Sequence, residues 1–393
     1  MSSKHVCSSC GSKDMSAFYK VNDIPVNSCI LLSTKQEALD FPRGNVVLGF
    51  CKKCGFISNV AFDRTKVNYS SSYEDQQSFS STFNKFAEVL AKRLVEKYQL
   101  RNKTILEIGC GKGDFLALLC RLGPNSGIGI DPAHIKGRIS GKVSDRLSFV
   151  TDFYSQKYAN YHADFVCCRH TLEHIPNVFE FVNEIRQSIG KRMNTTVFFE
   201  LPDVTRVLRE QAFWDIYYEH CSYFSLGSLA RLFRRCLFDV TDLCKAYDDQ
   251  YLLIEAQPAS QLSNKANSLE EDVSKTASDI QFFTLHYRKK LAQWRDLIKS
   301  HNDSGKRVIV WGSGSKCVAF LSTLGFKDEV DYIVDINPFR HGKFIPGSGK
   351  EIMSPQFLKK SKPDLTIVMN PIYCEEIKQM ISEMNIVTEV ISV

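Results

Sequence analysis

Between Thr104 and Leu122 the chain passes from a largely apolar run, through three glycines in five residues (Gly109, Gly111 and Gly113), into a stretch of helical periodicity. No other feature constrains the fold as tightly. A five-residue run such as Thr104-Ile105-Leu106-Glu107-Ile108, closed by glycine, reads as a buried strand. A buried strand that turns straight into a helix is half of a crossover unit, and crossover units build parallel sheets. The pattern recurs. Gly127-Ile128-Gly129-Ile130, Asp164-Phe165-Val166-Cys167-Cys168 and Thr195 to Glu200 read as further strands with helices between them. A mostly parallel sheet covered on both faces is expected, with Phe238 to Val240 and Tyr251 to Ile254 as an antiparallel edge.

The rest of the chain divides around this unit. Residues 1–68 are short, turn-rich and β-like. Residues 69–82 read as a Ser/Tyr-rich loop, and Phe83 to Tyr98 carries apolar residues at helical spacing. A long helix from about Leu269 to Ser300 leads to a second α/β unit, with strands at Arg307 to Trp311, Tyr332 to Asp335, Leu365 to Met369 and Val387 to Val393. The expected organisation is an N-terminal module (1–68), a central α/β domain (69–258), a linker helix (259–303) and a C-terminal Rossmann-like α/β domain (304–393).

Composition narrows the setting. The net charge of +6, from 50 basic and 44 acidic residues, is too mild and too evenly spread to argue for nucleic acid, while a small anionic substrate stays open. No segment approaches ~18 consecutive apolar residues, so no membrane span is expected. The polar N-terminus lacks the apolar run of an export signal, which points to the cytoplasm. In that setting 14 cysteines are reduced thiols and metal ligands. Cys7-Ser8-Ser9-Cys10-Gly11 and Cys51-Lys52-Lys53-Cys54-Gly55 are two CxxCG turns. The two-residue spacer lets both thiolates of a turn face one ion. Cys7, Cys10, Cys51 and Cys54 then form a closed tetrahedral Zn²⁺ site, which is structural.

Glu107 to Asp114 reads E-x-G-x-G-x-G, and Asp131 ends the next strand, 22 residues after Gly109. Glycines let the backbone approach a ligand, and a carboxylate at Asp131 can hold ribose hydroxyls. A dinucleotide fingerprint requires a third glycine where this chain has Asp114. The pattern instead resembles motif I of class I methyltransferases. That resemblance implies S-adenosyl-L-methionine as cofactor. Glu107, Gly109, Gly111 and Gly113 would lie around its amino-acid and ribose parts, with Asp131 on the ribose, Asp152 and Phe153 by the adenine, and His170 closing the pocket.

Trp214 to Phe224 holds the densest chemistry: Tyr217, Tyr218, Glu219, His220 and Tyr223. A histidine beside a carboxylate, with tyrosine donors, has the parts to remove a proton next to a carbonyl and hold the enolate. The same residues could also start a helix capped by Glu219 around a satisfied histidine. The order of the two CxxCG turns, E-I-G-C-G-K-G, Y-Y-E-H-C-S-Y-F-S and Gly312-Ser313-Gly314-Ser315-Lys316 resembles the sugar C-methyltransferase family, which acts on thymidine-diphosphate 4-keto sugars. The resemblance extends over nearly the whole chain. It implies a zinc module, a methyltransferase core and a Rossmann-like C-terminal domain. It also implies His220 as base, assisted by Glu219 and Tyr217, and Tyr73 (with Tyr69 as second choice) from the loop before the first core helix. The chain departs from that family at Gly109 to Gly113, where members carry an asparagine, and at Tyr247 to Leu252, where they read H-G-G-S-L-R.

The glycine loop at Gly312 to Gly314 could place amides and Lys316 around a phosphate, or be a packing turn. Arg340 and His341 are expected at the surface. Three functions are consistent with these residues: carbon methylation of a nucleotide-linked sugar, O- or N-methylation of another small metabolite, and a non-catalytic cofactor-binding scaffold.

Overall fold

The computed structural model describes residues 5–263 and 265–393. Met1 to Lys4 of the polar N-terminus, and Asn264 in the linker, lie outside them. Strands β1 (Met15–Pro25), β2 (Arg43–Cys51) and β3 (Ile57–Asn59) come first. The central unit supplies β4 (Thr104–Ile108), β5 (Ser126–Ile130), β6 (Leu147–Val150), β7 (Phe165–Arg169) and β8 (Thr196–Pro202). It continues with β9 (Ser222–Tyr223), β10 (Phe238–Ala246) and β11 (Tyr251–Pro258). After the helix Val273–Asp303 come β12 (Val308–Trp311), β13 (Tyr332–Val334), β14 (Ile352–Met353), β15 (Leu365–Val368) and β16 (Glu389–Ser392).

Among the described residues these strands form three sheets. The central one runs β6-β5-β4-β7-β8-β11-β10. Its strands from β6 to β8 pair in parallel, and the β10–β11 hairpin closes the far edge antiparallel. Numbered by chain position within the sheet, the order is 3-2-1-4-5-7-6, a doubly wound sheet whose last strand inserts before the sixth. This is the class I methyltransferase architecture expected above. The C-terminal sheet, β14-β13-β12-β15-β16, is wholly parallel and repeats the 3-2-1-4-5 order.

In both α/β sheets the order reverses beside the first strand. Ligands bind where that happens, outside the carboxyl ends of the strands. Gly109 follows β4, and Gly312 follows β12, so each glycine loop sits at its sheet's switch point.

The third sheet, β1-β2-β3-β9, is not made by the N-terminal module alone. Its last strand comes from the segment just after His220. Ile57 pairs with Tyr223 and Ser58 with Ser222, and the Asn59 amide donates to the Cys221 carbonyl at 2.9 Å. The module is too small to hold a core of its own. It shares one instead: Tyr19, Ile24, Val46 and Leu48 pack in the same cluster as Trp214, Phe283, Trp294 and Phe320. Helix Leu226–Arg235 packs Leu229 and Phe233 in a second cluster with Cys7, Cys51 and Cys54. No helix among the described residues is long and apolar enough to cross a membrane.

Candidate active site

A cavity of about 700 Å³ lies between the two switch points, lined by Gly109 and Gly111 on one side and Gly312 and Gly314 on the other. Its cofactor side is built as the glycines require. Gly109, Gly111 and Gly113 have φ of +69°, +54° and +91°. Side chains rarely adopt such values. A Cβ at Gly109 would stand 1.8 Å from Thr171 Oγ1, and one at Gly113 would stand 2.7 Å from the Phe149 ring. The Gly111 amide donates to Asp131 Oδ2 at 2.8 Å, which holds the acid at the end of β5 against the loop. Lys112 is buried beneath it and donates to the carbonyls of Tyr73 (2.7 Å) and Ala133 (2.8 Å). The glycine loop is thus fastened to the segment carrying Tyr73.

Glu107 is 3% exposed, and its Oε2 has no partner among the described residues. Burial raises its carboxyl to about 8 against the pull of Arg169. A buried orphan carboxyl lining a cavity calls for a donor from a ligand, and the ammonium group of S-adenosylmethionine has that chemistry. The residues present therefore fit the cofactor. His170 lines the cavity at the end of β7 with φ +48°. Its Nε2 lies 2.8 Å from Glu200 Oε1, an ion-pair contact out of line for a hydrogen bond. Phe153 lines the cavity under Arg64, whose guanidinium carbon is 4.9 Å from the ring centre. Asp152 turns its carboxylate to Lys157 (2.7 Å) and Tyr158 (2.5 Å) instead.

His220 lines the same cavity and is 6% exposed. Its ring lies 4.1 Å from that of Tyr217 and 4.7 Å, edge to face, from that of His174. Burial, with positive charge on His174, His170 and Lys316, holds its imidazole well below the usual histidine range, so the ring is neutral at pH 7. Tyr73 and Tyr69 stack edge to face at 5.2 Å and both line the cavity, and the Tyr69 hydroxyl bonds His174 Nδ1 at 2.7 Å.

Known proteins match the chain in two stretches. Residues 79–243 match the methyltransferase domain family, and residues 255–388 match the C-methyltransferase C-terminal domain. The C-methyltransferase NovU of Streptomyces niveus is 27% identical over 286 residues, 70% of this chain and 67% of that one. The chain is a methyltransferase that carries a C-methyltransferase C-terminal domain. Among solved structures, an O-methyltransferase family protein from Burkholderia thailandensis aligns with TM-score 0.35 and 16% identity over 45% of this chain. This chain covers 59% of it, less than two thirds. A 1,6-didemethyltoxoflavin-N1-methyltransferase of that organism, bound to S-adenosylhomocysteine, aligns with TM-score 0.33 and 14% identity over 46% of this chain and 82% of that one.

In this methyltransferase the four expected cysteines come together. Their sulfurs all lie within 4.8 Å of one another, with Cys7–Cys54 and Cys10–Cys51 at 3.6 Å. Four thiolates about 2.3 Å from a tetrahedral zinc would stand about 3.8 Å apart, so the cluster fits that ion. Gly11 and Gly55 take φ of +75° and +78° to close the two turns. Arg231 Nε donates to the Cys54 carbonyl at 3.0 Å, and Arg235 donates to that of Cys10. The cysteine turns therefore ride on helix Leu226–Arg235, a few residues past His220.

Several expectations need correcting. Glu219 does not form the helix start allowed above; its segment runs from a 3₁₀ turn (Phe213–Asp215) into β9. Nor does its carboxylate turn to His220. It is fully buried, accepting from the Ser28 amide (3.0 Å), the Asn27 side chain (3.2 Å) and the Ser315 hydroxyl (3.4 Å). The carboxylate that does lie near His220 is Glu173, which sequence reasoning passed over. Arg340 is buried, not exposed: it donates to Ser313 Oγ (3.0 Å) and to the Glu74 carbonyl. Lys316 is ion-paired to Asp215, itself paired to Arg206, and Asp335 takes both the amide (2.8 Å) and the hydroxyl (2.6 Å) of Ser313. The second glycine loop is thus already committed to protein partners.

Proposed function

We propose that this S-adenosylmethionine-dependent methyltransferase methylates carbon beside the ketone of a small molecule, a nucleotide-linked keto-deoxysugar, through an enolate formed by His220. One observation carries the reading: the buried imidazole of His220 and the Gly109 cradle open into the same cavity. The carbon-methylating relative and the C-methyltransferase C-terminal domain support carbon as the acceptor atom.

When bound, the cofactor supplies an electrophilic methyl group on a cationic sulfur. Glu107, Gly109, Gly111, Gly113, Asp131 and His170 would hold it, with Phe153 on the cavity wall beside them, while the Asp152 carboxylate stays with Lys157 and Tyr158. His220 takes the proton from the acceptor carbon, and the C–H electron pair passes into the enolate. Tyr217 and Tyr73, which both line the cavity, donate to the enolate oxygen. Burial pushes both phenols well above their usual range, so they keep the protons that such donation needs. Cys7, Cys10, Cys51 and Cys54 bind a structural zinc that fixes the sheet holding β9, and with it the backbone after His220. The enzyme works in the cytoplasm.

The test is incubation of thymidine-diphosphate 4-keto-deoxysugars with methyl-labelled S-adenosylmethionine, followed by mass spectrometry and carbon NMR. A new carbon–carbon methyl signal is expected. Label on oxygen or nitrogen, or cofactor binding with no turnover of any acceptor, would overturn the proposal.

A further inference from the structure

The two acids near His220 are placed very differently. Glu219 precedes it in the chain, but each of its oxygens is occupied by donors from the N-terminal segment and the C-terminal loop, Ser28, Asn27 and Ser315. Asn27 in turn accepts from the Asn68 amide at 3.1 Å. Glu219 is a tie between three parts of the molecule.

Glu173 sits in the 3₁₀ turn Leu172–His174 that follows β7. It is 2% exposed and lines the cavity. Its Oε1 lies 3.6 Å from His170 Nδ1, while its Oε2 is buried with no partner among the described residues. Ligand-capable atoms of Glu173, His174 and His220 all lie within 4.8 Å of one another. His174 is already engaged at Nδ1, which is shared between the Tyr69 hydroxyl (2.7 Å) and the Glu219 carbonyl (3.1 Å). The other groups facing His220 are Tyr217 and Tyr223 from its own segment, His170 from the β7 turn and Lys316 from the C-terminal loop.

We propose that Glu173, not Glu219, is the carboxylate that orients His220 and balances its charge when it takes a proton; this rests on reading His220 as the base. A neutral imidazole has two tautomers, and only one leaves the correct nitrogen bare toward the substrate. A carboxylate on the far nitrogen selects that tautomer. The same carboxylate stabilises the imidazolium once the proton has moved from carbon to nitrogen. In a site already crowded by His170, His174 and Lys316, an imidazolium without a counter-charge would be costly. A catalytic hydrogen bond is often long in a ligand-free site and tightens on binding, so a separation inside 4.8 Å suits the role. Glu173 is then a positioning residue, acting through His220.

The experiment uses full-length enzyme, labelled with ¹⁵N at histidine, in complex with S-adenosylhomocysteine at neutral pH. The ring ¹⁵N shifts report which nitrogen carries hydrogen, and His220→Gln assigns the signal. In the wild type one nitrogen is expected to be protonated and the other bare. Glu173→Gln should give a tautomer mixture, Glu173→Asp should restore a single form, and Glu219→Gln should keep the wild-type pattern. Turnover of a thymidine-diphosphate 4-keto-deoxysugar should fall about 10²–10⁴-fold in Glu173→Gln with KM little changed, on the scale seen when other enzymes lose the acid behind a catalytic histidine.

Wild-type tautomers and turnover in Glu173→Gln would overturn the inference. So would a mixture produced by Glu219→Gln. A second metal ion per chain, lost in Glu173→Gln, would also overturn it by making Glu173 a ligand. If His220→Ala itself kept full turnover, the broader reading of the site would fail, whatever the tautomers showed.

Discussion

Two glycines of the cofactor cradle, two residues apart, should respond to the same substitution differently. Gly109→Ala and Gly111→Ala both force a side chain into left-handed backbone, at φ +69° and +54°. That costs each about 1–2 kcal/mol. The surroundings then separate them. At Gly109 the new Cβ meets Thr171, with Oγ1 at 1.8 Å and both carbons at 2.8 Å. Thr171 cannot easily retreat. Its hydroxyl bonds the Arg169 carbonyl at 3.0 Å, and it follows His170, itself at φ +48°. Overpacking of that kind adds about 1–3 kcal/mol, for a total of about 2–5. At Gly111 nothing lies within 4 Å of the new Cβ, and the residue lines the cavity. Gly111→Ala should therefore fold with a loss of only about 1–2 kcal/mol, while its methyl group takes space the cofactor needs. Urea unfolding measures the first quantity and calorimetry with S-adenosylhomocysteine the second. The expected result is a stability loss for Gly109→Ala well above that for Gly111→Ala, and at least a roughly tenfold affinity loss for Gly111→Ala, which is about 1.4 kcal/mol. Equal stabilities, or wild-type affinity in Gly111→Ala, would refute the reasoning.

Metal analysis of the purified protein should find one zinc per chain. Stripping it, or Cys51→Ser, should reduce turnover far more than affinity for S-adenosylhomocysteine, because the metal supports β9 and the His220 segment while the cradle belongs to another sheet. Full turnover after stripping would contradict this. His170 gives stability a pH dependence. Burial alone would lower its pKa, but the Glu173 and Glu200 carboxylates outweigh burial and bring it to about 9. A folded value above the unfolded ~6.5 stabilises the protein fully below about pH 6.5, and that contribution is lost as pH rises through about 9. Its size is up to about 3 kcal/mol. Urea midpoints on either side of that window should fall with rising pH in the wild type and fall less in His170→Gln.

Much of the fold was legible because it depends on local pattern. The strand from Thr104 to Ile108, its three glycines and the acid at Asp131 carry their geometry in residue type and spacing. So do the two CxxCG turns. The parts that escaped depend on which segments meet in space. Ser222 and Tyr223 make a two-residue strand, too short for any periodicity, and find their partner in β3, about 165 residues earlier. Glu219 adjoins His220 in sequence, and adjacency suggested partnership, yet tertiary contacts draw its carboxylate to Asn27 and Ser28. Glu173 carried no signal: it is one acid in the polar run Arg169-His170-Thr171-Leu172-Glu173-His174, outside any motif. Arg340 looked like a loop residue because its acceptors, Ser313 and Glu74, come from two other segments. Lys112 filled a variable position in the glycine pattern, and nothing local showed that it reaches back to Tyr73.

The central claim is that the imidazole of His220 removes a carbon-bound proton beside the cofactor cradle. Solvent-deuterium exchange tests it without requiring methyl transfer. A thymidine-diphosphate 4-keto-deoxysugar is incubated in heavy water with enzyme and S-adenosylhomocysteine, and the carbon next to the ketone is followed by proton NMR. Wild-type enzyme should exchange that proton and His220→Ala should not; exchange persisting at the wild-type rate in His220→Ala would contradict the account.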